Sequence, residues 1–314
     1  MKPIGLSRLS LGCAPLANLY AAVDPDVATA TVHAALDAGV TYLDTAPHYG
    51  GGLSETRVAA ALRGVPRHAF RISTKVGRLL VPGENDAGIF ADVPAVRRVF
   101  DFSADGVKRS LEASLERLGL DHVDIVLLHD PDDHMDQAIN EALPVLLQWR
   151  DEGVIRKIGA GMNHSAPLAR LVRTNELDCV LLAGEYTLLD QNGLQELLPL
   201  CEQTGTRVVA AAVFNSGVLA DPSDDATFFY SPAKPEIIDR ARKLQAVCAR
   251  YDVPLAAAAM QFPTGHPAVE TVLVGMRSPQ EVATNSDNFS LPIPADLWAE
   301  LKAERLLAED IPTP

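Results

Sequence analysis

Apolar positions along this chain follow two alternating rhythms. Short unbroken apolar runs of strand length give way to longer segments in which apolar residues return every three or four positions. The runs at 8–13, 41–43, 70–74, 123–128, 155–161, 179–182, 207–213 and 271–274 predict eight strands. The intervening periodicity predicts helices at 26–38, 54–62, 103–118, 136–150, 166–174, 194–204, 235–251 and 279–288, with a short one at 255–262 and a terminal one at 295–307. Two of these carry clear end signals. Gly39 follows the first helix, where a left-handed cap suits glycine. Ser103 can cap the third, whose Val107, Leu111, Leu115 and Leu118 share a face.

The strands read as continuous apolar runs rather than alternating ones, which implies a parallel sheet covered on its faces by helices. Eight strand–helix units are the number that closes a (β/α)8 TIM barrel. No linker or shift in composition divides the 314 residues, so a single domain over 1–314 is expected. The stretch 77–101, with Pro82-Gly83 and Asn85-Asp86-Ala87-Gly88, reads as a long polar loop of the functional kind. Together with 221–234 it is expected to line a substrate pocket.

Composition narrows the class. Apolar residues make up 47% of the chain, enough for a large core. No apolar run of 18 or more residues predicts a membrane span, and the amino terminus lacks a signal-peptide core, so a cytoplasmic protein is expected. The formal charge of −14 disfavours nucleic acid as a partner. Cys13, Cys179, Cys201 and Cys248 form no C-x-x-C pair, which points to reduced, buried thiols rather than a disulfide framework or a metal site.

The chemistry gathers at strand ends. Asp44 follows the second predicted strand, with Tyr49 in the loop beyond it, and Lys75, His129 and Asn163 follow the third, fourth and fifth. In a barrel of this kind the carboxyl ends of the strands form the active-site rim. Each residue alone has an ordinary explanation: a cap, a solvated lysine, a core histidine, a packing tyrosine, any of which is common for its residue type. Their arrival at corresponding ends of successive strands favours one shared site. A phenol has a pKa near 10, and a neighbouring ammonium is expected to lower it. Lys75, held by Asp44, can supply that charge, and His129 can orient a substrate oxygen. Tyr49 would then exchange a proton with an alcohol or carbonyl. A matching hydride must come from a cofactor, which implies a nicotinamide. His48 is expected to diverge from its neighbour Tyr49 and to stay outside the pocket, and His33 and His122 read as structural or exposed.

These residues resemble the aldo-keto reductase superfamily. Asp-Thr-Ala-Pro-His-Tyr-Gly-Gly-Gly-Leu-Ser-Glu (44–55) is similar to its first signature, 153–163 to its second, and 275–285 to its cofactor segment. The resemblance implies Asp44, Tyr49, Lys75 and His129 as the catalytic tetrad. It implies Asn163 as a ligand of the nicotinamide carboxamide, and Gly275, Arg277, Ser278 and Asn285 at the adenosine end. Two departures stand out. Tyr186 matches a family tyrosine at the cofactor, but Ala183 stands where a glutamine is common. Alanines also occupy the seventh strand where many members stack an aromatic on the nicotinamide, leaving Phe214 as the nearest ring.

The segment Phe214-Asn-Ser-Gly-Val-Leu219, contributing Ser216, Gly217 and Leu219 to the cofactor side, resembles the aldose 1-dehydrogenase branch of the L-fucose and D-threo-aldose type, with pyridoxal 4-dehydrogenases beside it. That resemblance implies oxidation of a C1 hemiacetal hydroxyl to a lactone. Glu281 stands where NADPH-preferring members often have an arginine, so NAD is expected over NADP, with Arg277 arguing the other way. The remaining alternatives are a pyridoxal dehydrogenase or general aldehyde/ketone reductase, a Schiff-base aldolase using Lys75, and a non-catalytic nicotinamide-binding regulator. A small sugar or aldehyde is the expected partner. The sequence carries no signal for oligomeric state.

Overall fold

The computed structural model describes residues 3–84, 88–174 and 176–314. Eight parallel strands close on themselves: β1 (Leu9–Gly12), β2 (Tyr42–Asp44), β3 (Arg71–Val76), β6 (Ile125–His129), β7 (Lys157–Met162), β8 (Cys179–Ala183), β9 (Arg207–Ala211) and β12 (Val269–Gly275), which pairs back onto β1. The remaining strands form two small hairpins outside the barrel: β4 (Arg78–Pro82) with β5 (Val96–Phe100), and β10 (Thr227–Phe228) with β11 (Ser231–Pro232). The expected (β/α)8 barrel is therefore the observed fold.

The continuous apolar strands follow from burial on both faces. Tyr42, Ile125, Leu127, Cys179, Leu181, Val209 and Leu273 fill the barrel interior. The alternate strand residues, among them Leu43, Ile72, Val126, Leu128, Val180 and Val208, pack outward against the helices in the larger core. Glu270 closes the bottom: its carboxylate accepts from the backbone N–H of Ile4, Gly5 and Leu6 at 2.8–3.1 Å and pairs with Arg207 at 2.9 Å. All four cysteines are buried thiols, and burial pushes Cys201 up to about 12 and Cys248 up to about 11.

Three local expectations are corrected. The stretch 77–101 is largely an antiparallel hairpin, with Leu79 opposite Val99 and Val81 opposite Arg97. Leu79, Leu80, Val81 and Val96, Val99, Phe100 supply its apolar positions, interrupted by the turn residues Pro82-Gly83 and Gly88; Asn85, Asp86 and Ala87 lie outside the described residues. The helix expected at 136–150 is interrupted by a π segment at Ala138–Ala142. Pro144 lacks the N–H that regular helical pairing there would need. The hairpin at 227–232 falls in the stretch 221–234, to which the sequence pattern assigns no element. No helix among the described residues is long and apolar enough to cross a membrane.

Candidate active site

Register places the polar groups on one rim. Asp44 lies level with Ser73, Lys75 with Leu127, and His129 with Gly161. Tyr49 is delivered by the loop after β2, and the glycines that follow it explain how. Gly50, Gly51 and Gly52 all have φ between 60° and 88°, and a Cβ on Gly50 would come within 2.7 Å of the Ala17 carbonyl oxygen. Only glycine makes this turn without strain or collision. Ser54 and Glu55 then fix the loop. Ser54 Oγ donates to the Cys13 carbonyl at 2.9 Å and accepts from Thr45 Oγ1 at 2.8 Å. The fully buried Glu55 accepts from Thr74 Oγ1 and from Arg117 Nε, each at 2.6 Å.

Lys75 Nζ is the hub. It donates to Asp44 Oδ2 at 2.6 Å, to the Thr45 carbonyl at 2.9 Å and to Tyr49 Oη at 3.1 Å. A lysine ammonium has three donors and no acceptor, so the Tyr49 oxygen must accept, and its own hydrogen points elsewhere. Asp44 is held from its other side by Ser73 Oγ at 2.7 Å, which accepts from Tyr42 Oη at 2.8 Å. A buried chain thus runs from Tyr42 through Ser73, Asp44 and Lys75 to Tyr49. Tyr42 and Ser73 gave no sequence signal of their own, since both read as ordinary strand positions.

The electrostatics correct one expectation. Burial pushes the Tyr49 phenol well above its usual range, and Asp44, Tyr230 and Asp130 push the same way, against Arg78. Lys75 lies 2.6 Å from Asp44, whose charge offsets the pull of the ammonium on the phenol. His129 is pushed well below the ordinary histidine value by burial, and the cations Arg78 and Lys75 and the His48 ring add to this. Its ring stands edge-on to Tyr49, with centroids 5.9 Å apart, and its buried Nδ1 has no hydrogen-bond partner among the described residues. A neutral imidazole and a protonated phenol beside one cavity can each donate to a substrate oxygen.

That cavity has a volume of about 280 Å³ and is lined by Tyr49, Lys75, His129 and Asn163. Phe90, Met162 and Leu181 give it an apolar wall. His48 also lines it, contrary to expectation. Its Nδ1 receives the guanidinium groups of Arg78 and Arg98 at 3.0 and 3.1 Å, which turn its ring inward beside His129. Asp130, unnoticed in the sequence, lines the same space in a left-handed conformation (φ 44°) and is paired with Arg78.

A second cavity of about 240 Å³ runs along the rim between β9 and β12, and Phe214, Ser216, Gly217, Gly275 and Arg277 line it. The remaining residues expected at a cofactor are placed differently. Ser278 caps the helix Pro279–Ser290 by accepting from the Glu281 N–H, and Asn285 sits half-buried on that helix. Glu281 accepts from the Arg277 N–H at 2.9 Å and lies 3.6 Å from its guanidinium. Leu219 is fully buried. Tyr186 is also buried, its ring 5.2 Å from that of Phe262, and it lines neither cavity. The chain turns it away from the barrel mouth after β8, so its match to the family tyrosine does not bring it to the rim.

The rim fits a dinucleotide. The groove carries a guanidinium for phosphate oxygens and lies next to the cavity that holds an amide, Asn163, beside Tyr49 and His129. Residues 8–305 match the Aldo/keto reductase family. The chain is 44% identical to a D-threo-aldose 1-dehydrogenase of a Pseudomonas species, over 99% of this chain and 96% of that one. It is 40% identical to a pyridoxal 4-dehydrogenase of Microbacterium luteolum, over 96% and 95%. The solved structure of a glycerol dehydrogenase from Gluconobacter oxydans superposes with a TM-score of 0.79 at 25% identity, covering 98% of this chain and 94% of that one. A signature carried by nearly the whole barrel, and the Tyr49–Lys75–Asp44 geometry at its mouth, lead to one conclusion: the chain belongs to the aldo/keto reductase family and is an NAD(P)-dependent oxidoreductase.

Proposed function

We propose that the protein oxidises the C1 hemiacetal hydroxyl of an aldose to a lactone, with NAD+ as the preferred cofactor. The observation that carries this reading is the Tyr49 oxygen, 3.1 Å from Lys75 Nζ and facing a cavity that also holds His129 and Asn163. A volume of about 280 Å³ suits one small molecule rather than a large one. The polar edge made by His48, Asp130 and Asn163 offers partners to hydroxyl groups, and the 44% identical relative is named for an aldose.

In this reading Tyr49 acts as the phenolate, its own proton having passed to solvent; it takes the hydroxyl proton of the hemiacetal, and C1 loses a hydride as the lactone carbonyl forms. The bound nicotinamide supplies the hydride acceptor. Neutral His129 holds the reacting oxygen. Lys75 accepts no proton; it steadies the negative charge of the phenolate oxygen until the substrate's proton neutralises it, and Asp44 with Ser73 holds Lys75 in line. Asn163 would orient the carboxamide, and Gly275, Ser216, Gly217, Phe214 and Arg277 would carry the rest of the dinucleotide. Three engaged hydrogen bonds on Lys75 Nζ disfavour its use as a Schiff-base nucleophile.

The NAD preference rests on Glu281. Its carboxylate lies beside the Arg277 guanidinium and opposes a ribose 2′-phosphate. The apolar wall of Phe90, Met162 and Leu181 supports a second reading, oxidation of pyridoxal, whose flat ring would pack there. Aldoses and pyridoxal, each with NAD+ and with NADP+, followed by absorbance of the reduced cofactor, decide between them. The proposal requires the highest kcat/KM with an aldose and NAD+. A higher value with pyridoxal selects the second reading, and a preference for NADP+ refutes the Glu281 argument.

A further inference from the structure

The catalytic cavity and the cofactor groove share two lining residues among the described ones, Leu19 and Tyr230. Anything that reaches from the groove to Tyr49 must pass this waist. Tyr230 also borders the small recess beside Asn163, Ala183 and Ala212, where the strand ends carry small side chains. Among the described residues it is thus the one aromatic that borders all three spaces.

The backbone that presents it is unusual. Phe228 pairs with Ser231, so Phe229 and Tyr230 form a two-residue hairpin turn. Their φ values are 46° and 63°. Turns of this shape favour Asn-Gly, because bulky residues are strained in the left-handed region. Here two large aromatics occupy both positions, and other contacts hold them in place. The Tyr230 N–H donates to Ser216 Oγ at 3.0 Å, and Thr227 Oγ1 donates to the Ser216 carbonyl at 2.7 Å. The Phe229 ring closes over Gly184, where a Cβ would come within 3.1 Å of it, and lies nearly parallel to the His164 ring. Phe229 therefore anchors the turn on the strand ends. Tyr230 remains 47% exposed and borders the waist between the two cavities. Strain retained at a ligand passage, with an apolar face turned toward it, is a mark of a binding role.

We propose that Tyr230 is the aromatic face against which the nicotinamide ring packs, delivered by the 227–232 hairpin rather than by a barrel strand. The inference rests on the nicotinamide reading of the rim. It gives the hairpin a purpose that neither its sequence nor its small size suggests: the cofactor's reactive ring is gripped by a loop pinned to Ser216, a residue of the cofactor groove itself.

The test compares two ligands on the full-length protein. Dissociation constants for NADH, from its fluorescence, and for ADP-ribose, from calorimetry, are measured for the unaltered protein, Tyr230→Ala and Tyr230→Phe. Loss of one aromatic stack predicts NADH binding about 3- to 10-fold weaker in Tyr230→Ala. ADP-ribose, which lacks the nicotinamide, should bind that variant as tightly as before, which also shows that the fold and groove are intact. Tyr230→Phe keeps the ring and should restore NADH affinity. Equal weakening of both ligands, unchanged NADH binding, or tighter NADH binding in Tyr230→Ala would each overturn the proposal. Failure of the unaltered protein to bind either ligand would instead remove the cofactor reading beneath it.

Discussion

Asp44 and Lys75 meet at 2.6 Å with each side chain only 1% exposed. Such a pair costs more to bury than its attraction returns unless further hydrogen bonds complete it. Ser73, the Thr45 carbonyl and Tyr49 complete it here. Removing one partner leaves the other charge stranded. Asp44→Asn should lower unfolding stability by about 3–5 kcal/mol in urea titrations. The double change Asp44→Asn with Lys75→Met should cost less than the sum of the two single changes. Additive costs would mean that the two residues do not act as a pair.

Acid should destabilise the protein through its buried histidines. Burial holds His129 well below the ordinary histidine value near 6.5, and His266 is also lowered by burial. A depressed folded value means that the unfolded chain binds protons first, so stability is complete above the unfolded value and falls as pH drops below about 6.5. Each such group adds a slope of about 1.4 kcal/mol per pH unit until its folded value is reached. His129→Gln should reduce the slope by about one proton in denaturation curves at pH 5 to 7. An unchanged slope would show that His129 is not the neutral group described.

Alkali should favour oxidation. The Tyr49 phenol is pushed well above its ordinary value near 10, chiefly by burial, so it stays protonated in the free protein at neutral pH. Serving as a base requires loss of that proton, and the population able to do so grows with pH. The oxidative kcat/KM should therefore rise roughly tenfold per pH unit between pH 7 and 9 if this ionisation limits the rate. A flat profile in that range would place proton removal elsewhere.

The barrel and the gathering of Asp44, Tyr49, Lys75 and His129 at its mouth could be read from the sequence because both are written in local patterns. Eight apolar runs carry their own period, and Asp44, Lys75 and His129 each sit directly after one. What was missed depends on contacts between distant segments. His48 turns inward because Arg78 and Arg98 from the β4–β5 hairpin draw its Nδ1, and the turn residues of that hairpin give its sequence the pattern of a loop. Tyr42 and Ser73 join the hydrogen-bonded chain to Lys75 through register, with β2 and β3 paired at Asp44 and Ser73. Tyr186 matched a motif yet packs on Phe262 behind the rim, because the path of the chain after β8 is not encoded in spacing. The lowering of the Tyr49 pKa was expected from the lysine alone; burial and the pairing of that lysine with Asp44 outweigh it.

Cofactor choice offers a separate check at a site remote from the chemistry. Glu281→Ala removes the carboxylate beside Arg277 and leaves the guanidinium unopposed. The ratio of kcat/KM for NADP+ to that for NAD+ should rise roughly tenfold. A ratio that stays put would show that the ribose lies beyond the reach of this pair.

The most direct test of the central claim is a Tyr49→Phe variant, assayed for both turnover and cofactor affinity. The ring is kept and the proton-carrying oxygen is lost. The account predicts that aldose oxidation falls at least about 10²- to 10⁴-fold while the NADH dissociation constant holds within about twofold. Turnover retained at the unaltered rate would contradict it, because the oxygen bound by Lys75 would then have no part in moving the proton.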